Sequence, residues 1–364
     1  MKTILITGNM GYIGPIVIRH LREFYPAASL IGLDTGYFAA CLLQNTVIPE
    51  RFLDRQYFAD VREVTEQMLQ GVDAIVHLAA ISNDPMGNAY ESVTHSINQD
   101  STLKLAAAAK RAGVASFVFA SSCSVYGFAD AGPRDEQSEV NPLTAYARSK
   151  VNSEMGLKAL ADGSFQVTCL RFATACGASP RLRLDLVLND FVASALVNGV
   201  IEILSDGSPW RPLIDVQDMA RAIHWAIGRP STLGGEALVV NAGSDSWNHQ
   251  VRDLATAVAG EIPGVRVNVN SNALPDKRSY RVNFELFRRL APQHQPLITL
   301  QSSIRALKTV LEDAHFANRE FRKSNLMRLN MLSQLRRDGQ LDEELRWSAP
   351  TSVAGAGKLI GVPA

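Results

Sequence analysis

Short apolar, β-branched runs alternate with helical patterns through the first half of the chain. The runs are Thr3 to Thr7, Ser29 to Leu33, Ala74 to Leu78, Ser116 to Ala120 and Gln166 to Leu170. Their length and composition predict strands, and strands taking turns with helices predict parallel βαβ units, hence a doubly wound α/β sheet. Between two of them, Leu103 to Ala112 is built from strong helix formers and stops at Gly113, which predicts a helix covering one sheet face. After about residue 175 the alternation loosens into Pro/Gly-punctuated segments such as Gly177-Ala178-Ser179-Pro180 and Asp206-Gly207-Ser208-Pro209. A smaller lobe closing over a cleft is expected there. From Glu312 to Trp347 the chain is charged and helix-prone, and Leu326, Leu329, Leu332 and Leu335 recur every three residues as an apolar stripe.

These patterns divide the chain into residues 1–175 as the sheet-forming unit, with its last elements contributed by 205–245, and 176–310 as mainly the smaller lobe. Residues 311–347 form a helical extension, and 348–364, small and Gly/Pro-containing, a loosely held tail.

Composition adds mostly exclusions. Lys plus Arg number 36 and Asp plus Glu 36, so no overall charge favours nucleic acid or an anionic membrane. The Arg-bearing stretch Arg319 to Arg337 is interleaved with Leu and Met at helical spacing, as in a packing helix rather than a phosphate-tracking patch. Cys41, Cys123, Cys169 and Cys176 are too few and too irregular for a disulfide framework and form no C-x-x-C pair, which predicts a reducing, cytoplasmic setting. The opening Met1 to Ile6 superficially resembles a signal peptide, but its apolar stretch ends at Gly8 and reads as a buried first strand. No stretch approaches the roughly 18 consecutive apolar residues of a spanning helix, so a soluble protein is expected. The seven histidines show no metal-ligand spacing, and no metal site is expected; His77 is expected to pack at a strand end.

Candidate chemistry begins where the first strand ends. Gly8-Asn9-Met10-Gly11-Tyr12-Ile13-Gly14-Pro15 stands between that strand and an apolar helical pattern through Ile16, Val17, Ile18 and Leu21. Gly8 permits the tight turn, Gly11 lets backbone approach a pyrophosphate, and Gly14 allows close helix packing, while the helix N-terminus favours the anion. Met10, Tyr12 and Ile13 complete the turn. Asp34 ends the second strand twenty positions after Gly14, where a carboxylate accepts from a ribose 2′-hydroxyl, favouring NAD over NADP.

Tyr146 and Lys150, four residues apart, share one helix face. An adjacent ammonium and an oxidised nicotinamide would both favour the phenolate of a tyrosine whose ordinary pKa is about 10, making Tyr146 a plausible general base. Upstream lies the Ser-rich segment Ala120-Ser121-Ser122-Cys123-Ser124-Val125-Tyr126-Gly127.

Glycine turn, serine strand end and Tyr/Lys pair in this order resemble the extended short-chain dehydrogenase/reductase family of nucleotide-sugar epimerases, dehydratases, decarboxylases and reductases. The resemblance covers roughly residues 1 to 310 and implies a Rossmann-type sheet with a substrate lobe, NAD as cofactor and a homodimer. Asp60-Val61 look like the family's adenine-contacting pair. His77-Leu78-Ala79-Ala80 look like its cofactor-lining strand end, and Asn98 sits where the family has a structural Asn. Arg171 and Arg211 also match family landmarks. The resemblance implies that Ser122 bonds the substrate hydroxyl, Tyr146 moves its proton, and Lys150 holds the nicotinamide ribose while lowering the pKa of Tyr146. Arg211, with Arg278 or Arg281, would meet a UDP-, GDP-, CDP- or dTDP-sugar's diphosphate.

The chain departs from its relatives in three places. Dehydratases follow the catalytic hydroxyl residue with Asp-Glu, and here Cys123 and Ser124 stand there, which disfavours 4,6-dehydration. Thr174 replaces a common Asn, and Ala175-Cys176 the usual Val-Tyr. Cys123 is carried as a candidate proton donor beside the sugar. The leading expectation is an NAD-dependent nucleotide-sugar 4-epimerase working through a transient keto-sugar. The alternatives are a nucleotide-sugar reductase or dehydrogenase, an atypical dehydratase using Cys123, and a non-catalytic dinucleotide-binding scaffold. The homodimer is expected to pair the Leu103 to Ala112 helix and the Tyr146 helix with their symmetry mates, small Ala106 to Ala109 permitting close approach.

Overall fold

Twelve strands organise the computed structural model, which describes residues 2–43, 47–129, 132–270, 273 and 279–348. They are β1 (Thr3–Thr7), β2 (Ser29–Asp34), β3 (Arg55–Phe58), β4 (Ala74–His77), β5 (Ser116–Ser122), β6 (Gln166–Phe172), β7 (Thr174–Cys176), β8 (Val200–Ile203), β9 (Trp210–Asp215), β10 (Ala237–Ala242), β11 (Asn248–Gln250) and β12 (Arg266–Val269). Seven form a parallel sheet in the order β10-β6-β5-β4-β1-β2-β3. The fold is a Rossmann-type α/β fold.

The pleat sorts the apolar residues of the central strands between two layers. Ile4, Ile6, Val76 and Val118 face a core shared with the helices Gly14–Phe24 and Val216–Gly228, while Leu5, Ile75, Phe117 and Phe119 face one shared with Ser101–Arg111 and Ala145–Leu160. Edge strand β3, sequence RQYF, has no buried residue and leaves Phe58 73% exposed. Its lack of an apolar signal explains why the pattern of the chain did not reveal it. β10 returns to the main sheet beside β6 only after β8 and β9 have entered the smaller lobe, whose sheets are β11-β9-β7 and β12-β8.

Two packing expectations need correction. Ala106, Ala108 and Ala109 are buried within their own fold, against the sheet, and so do not present a small-residue face to a second copy. The extension is not one helix either. A turn at Phe321–Lys323 precedes a helix over Arg328–Arg337, after which Gly339, at φ 69°, reverses the chain so that Leu341 bridges to Trp347. Leu326 packs into one core, whereas Leu332, Leu335, Leu341 and Leu345 pack into the other. The extension is therefore anchored to the fold by its buried leucines. Of the expected tail, residues 349–364 lie outside the described residues. Among the described residues no helix is long and apolar enough to cross a membrane.

Candidate active site

A cleft of about 280 Å³ opens along the carboxyl ends of β1, β2, β4 and β5, where parallel sheets gather their ligands. Gly8 turns the chain at φ 72°, its amide donating to Leu33 O at 2.8 Å; a Cβ there would lie 2.5 Å from the Ala79 nitrogen. At Gly14 a Cβ would overlap the Asn9 backbone. The turn therefore packs tightly on the end of β4 and on its own first residues, with Gly8 and Gly11 on the cleft wall. Gly11, Tyr12 and Ile13 line it beside the helix that starts at Gly14, and Leu78, Ala79 and Ala80 line the facing side.

Asp34 also lines the cleft. Its carboxylate accepts from the Met10 amide at 2.9 Å and the Gly36 amide at 2.7 Å, while burial pushes its pKa up. Met10 itself contributes this backbone bond and is otherwise buried. Asp60 and Val61 close the far end, with the Asp60 carboxylate forked by Arg62 at 2.6 Å. Asn98 lies behind the wall: its side chain accepts from Ile81 N at 2.8 Å and donates to Ile81 O at 3.0 Å, which pins the loop after β4. His77 bonds Thr7 at 2.6 Å and Thr102 at 2.8 Å, and burial depresses its pKa to about 3. It packs as a neutral ring under the strand end.

Three proton-handling groups meet where β5 ends against the helix Ala145–Leu160. Thr144 caps that helix by accepting from Ala147 N at 3.1 Å, which sets the direction of Tyr146 two residues on. The Ser122 hydroxyl, which accepts from Ser124 N at 3.1 Å, lies close enough to the Tyr146 phenol to favour its phenolate. Burial pushes Tyr146 up to about 12, against the pull of the Ser122 hydroxyl and of the Arg183 charge. Lys150 donates to Ala120 O at 2.7 Å, and its nitrogen stands 5.6 Å from the Tyr146 ring centre. Burial lowers Lys150 to about 8. Arg183 thus adds a second cation near Tyr146, beside Lys150.

Beyond this junction a second cavity of about 850 Å³ extends into the smaller lobe. Ser124, Thr174 and Tyr280 line both spaces, and the Ser124 hydroxyl is buried with no hydrogen-bond partner. Arg211 lines the second cavity, as does Arg322, which is paired with Asp190 at 2.6 Å. A ligand bridging the two spaces would pass Ser122, Ser124 and Tyr146.

Against known proteins, the family model described as NAD dependent epimerase/dehydratase family matches residues 4–243. The chain belongs to this family. As an epimerase/dehydratase family member it uses NAD and is an enzyme. It is 30% identical to a UDP-glucose 4-epimerase of Mycolicibacterium smegmatis over 274 residues, 72% of this chain and 83% of that protein. It is 29% identical to an uncharacterised UDP-glucose epimerase, YtcB, of Bacillus subtilis over 244 residues, 64% of this chain and 74% of that protein. Among solved structures it resembles TunA, described as an NAD-dependent NDP-hexosamine 5,6-dehydratase involved in tunicamycin biosynthesis. That likeness has a TM-score of 0.73 and 26% identity, covering 86% of this chain and 98% of the other.

Within this epimerase/dehydratase frame, several residues expected at the site stand elsewhere. Cys123 is fully buried, its thiol donating to Arg171 O at 3.1 Å, and burial raises its pKa far above the ordinary thiol value. It faces the core, because the chain leaves β5 in a tight turn that directs Ser122 and Ser124 to the cleft and Cys123 away. A buried, high-pKa thiol cannot donate to a sugar in that cleft. Arg281 stacks on Trp210 at 5.2 Å and does not line either cavity. Arg278 lies outside the described residues. Arg171 is internal too, forking Glu154 at 2.7 Å. Ser124, Arg183, Tyr280 and Arg328 line the cleft without having been singled out as site residues. Only Ser124 had a local signal, its position two residues after Ser122.

Proposed function

We propose that the protein is an NAD-dependent nucleotide-sugar 4-epimerase in which Ser122, Tyr146 and Lys150 handle the proton. The observation that carries this reading is that Ser122, Tyr146 and Lys150 line the dinucleotide cleft together, next to the point where it joins the second cavity. The similarity to UDP-glucose 4-epimerases supports it.

The glycine turn, Asp34 and the Asp60-Val61 end fit a dinucleotide by shape and by hydrogen-bonding chemistry. Gly8 and Gly11 leave room for its pyrophosphate, Gly14 lets the helix start close to the turn, and Asp34 accepts from its ribose. NAD bound there supplies a reversible hydride acceptor for one ring carbon. Tyr146 takes the proton of the sugar hydroxyl as that carbon is oxidised and gives it back when the ketone is reduced on the opposite face. Ser122 holds the reacting oxygen, Ser124 offers a second hydroxyl beside it, and Lys150 orients the cofactor's ribose. Arg211 meets the diphosphate in the second cavity, and Thr174 lines the sugar's path. Cys123 in the core and Ser124 in the cleft leave the Ser122 segment without the carboxyl group that would eliminate water, so redox chemistry without elimination is favoured.

Incubation with UDP-, GDP-, CDP- and dTDP-sugars, followed by mass spectrometry and NMR, tests the proposal. A product of unchanged mass with inverted C4 is expected. Loss of the mass of one water would instead establish a dehydratase, and a gain or loss of two hydrogens a reductase or dehydrogenase.

The resemblance also leads us to propose a homodimer formed through the exposed faces of the Ser101–Arg111 and Ala145–Leu160 helices, and a cytoplasmic location.

A further inference from the structure

Arg328 is 1% exposed and lines the dinucleotide cleft, although it comes from the extension, at the opposite end of the chain from the glycine turn. Its Nη2 donates to Arg181 O at 2.8 Å and its guanidinium lies 4.8 Å from the Phe38 ring centre, but Nη1 has no hydrogen-bond partner. The neighbouring buried arginines are neutralised, Arg181 by Glu50 at 2.6 Å and Arg183 by Asp185 at 2.9 Å. Among the described residues Arg328 has no such ion pair. A buried, unpaired cation is expensive, and its persistence on a cavity wall implies an anion arriving from the cavity. The glycine turn is close by: Ser179, two residues before Arg181, donates to Tyr12 O at 2.7 Å. A dinucleotide presents its negative charge, the pyrophosphate, to that turn.

The extension is tied down around this position. Trp347 donates to Thr35 O at 2.7 Å, Arg62 to Glu344 O at 2.9 Å, and Tyr37 to Leu345 O. On the opposite rim, Leu184 N donates to Leu326 O at 3.0 Å. The segment 326–347 therefore crosses from the smaller lobe to the far end of the cleft, as a strap.

We propose that Arg328 is a pyrophosphate ligand of the bound dinucleotide, carried by a C-terminal strap that makes the cofactor slow to leave. The guanidinium, free on one edge, bonds phosphate oxygens, and release of the cofactor requires the strap to lift. This depends on NAD as the cofactor and not on which sugar or carbon is processed.

The test compares binding of NAD, ADP-ribose and adenosine to the full-length protein and to Arg328→Gln. Weakening of NAD and ADP-ribose by about tenfold or more, with adenosine within about twofold, is expected, together with faster NAD release. Unchanged NAD affinity, or an equal loss for adenosine, would overturn the proposal. Should Arg328→Gln not fold, amide exchange on the unaltered protein decides. Slowing of exchange over 328–337 by NAD and ADP-ribose but not by adenosine is expected; equal slowing by adenosine, or none by NAD, counts against it.

Discussion

Tyr146 shows how a single residue's chemistry depends on its surroundings. Its phenol is held at about 12 by burial, whereas Lys150 is lowered to about 8. As the reactive form is the phenolate, a raised pKa makes base strength scarce at neutral pH, and each step upward in pH increases it. Lys150 loses its charge above about 8, withdrawing support for the phenolate in that range. We therefore expect kcat to rise between about pH 6 and about pH 8 and to level off above; a rate flat across that interval would remove Tyr146 as the base. Replacing Tyr146 with Phe should lower kcat by about 10²–10⁴ while NAD affinity, read by calorimetry, stays nearly intact, because the hydroxyl acts on the proton and contributes little to holding the dinucleotide. Lys150→Ala should harm both. Cys123→Ala is expected to spare the chemistry, since the thiol faces the core.

At the scale of elements, the site depends on how strands end and helices begin. β5 stops at Ser122 and turns at once, so alternate residues reach the cleft and the core. The Tyr146 helix begins at a Thr144 cap whose hydroxyl also donates to Asp84 at 2.7 Å, joining the cap to the cleft wall. Thr144→Ala should reduce unfolding free energy by about 1 kcal/mol, measurable in urea, and lower kcat through loss of Tyr146's alignment. Unchanged stability and kcat would show that the helix start is fixed by packing alone. The same element scale explains Arg328: the break before the Arg328–Arg337 helix and the reversal at Gly339 turn a leucine-striped segment into a strap.

For the whole molecule, the two helices proposed to meet a second copy bury their small residues inward and expose longer ones outward, including Met155 at 68%. A homodimer built on that outer face should be broken by Met155→Glu. Light scattering at micromolar concentration should then report a dimer for the native protein and a monomer for the variant. A native monomer would refute the assembly. Strap and dimer face lie on the same layer of the sheet, since Leu332 and Leu335 share a core with Leu105 and Leu157. Loss of the extension should accordingly destabilise that layer as well as the cofactor cleft.

The amino-acid sequence alone determined the strand–turn–helix around Gly8 to Gly14, the terminal acid Asp34, the Ser122 strand end and the Tyr146/Lys150 pair. These are local: strand periodicity, glycine sterics and helical spacing act within a few residues, and the chain writes them out directly. Tertiary structure decided what depends on residues distant in the chain. It placed β10 beside β6, turned Cys123 into the core, left Arg281 on Trp210, and brought Arg328 to a cleft whose glycine turn lies at the opposite end of the chain. It also brought Arg183 to the Tyr146 phenol, a charge that the spacing of Tyr146 and Lys150 does not reveal. Burial and charge are sums over everything packed around a group, and no spacing along one chain encodes that sum.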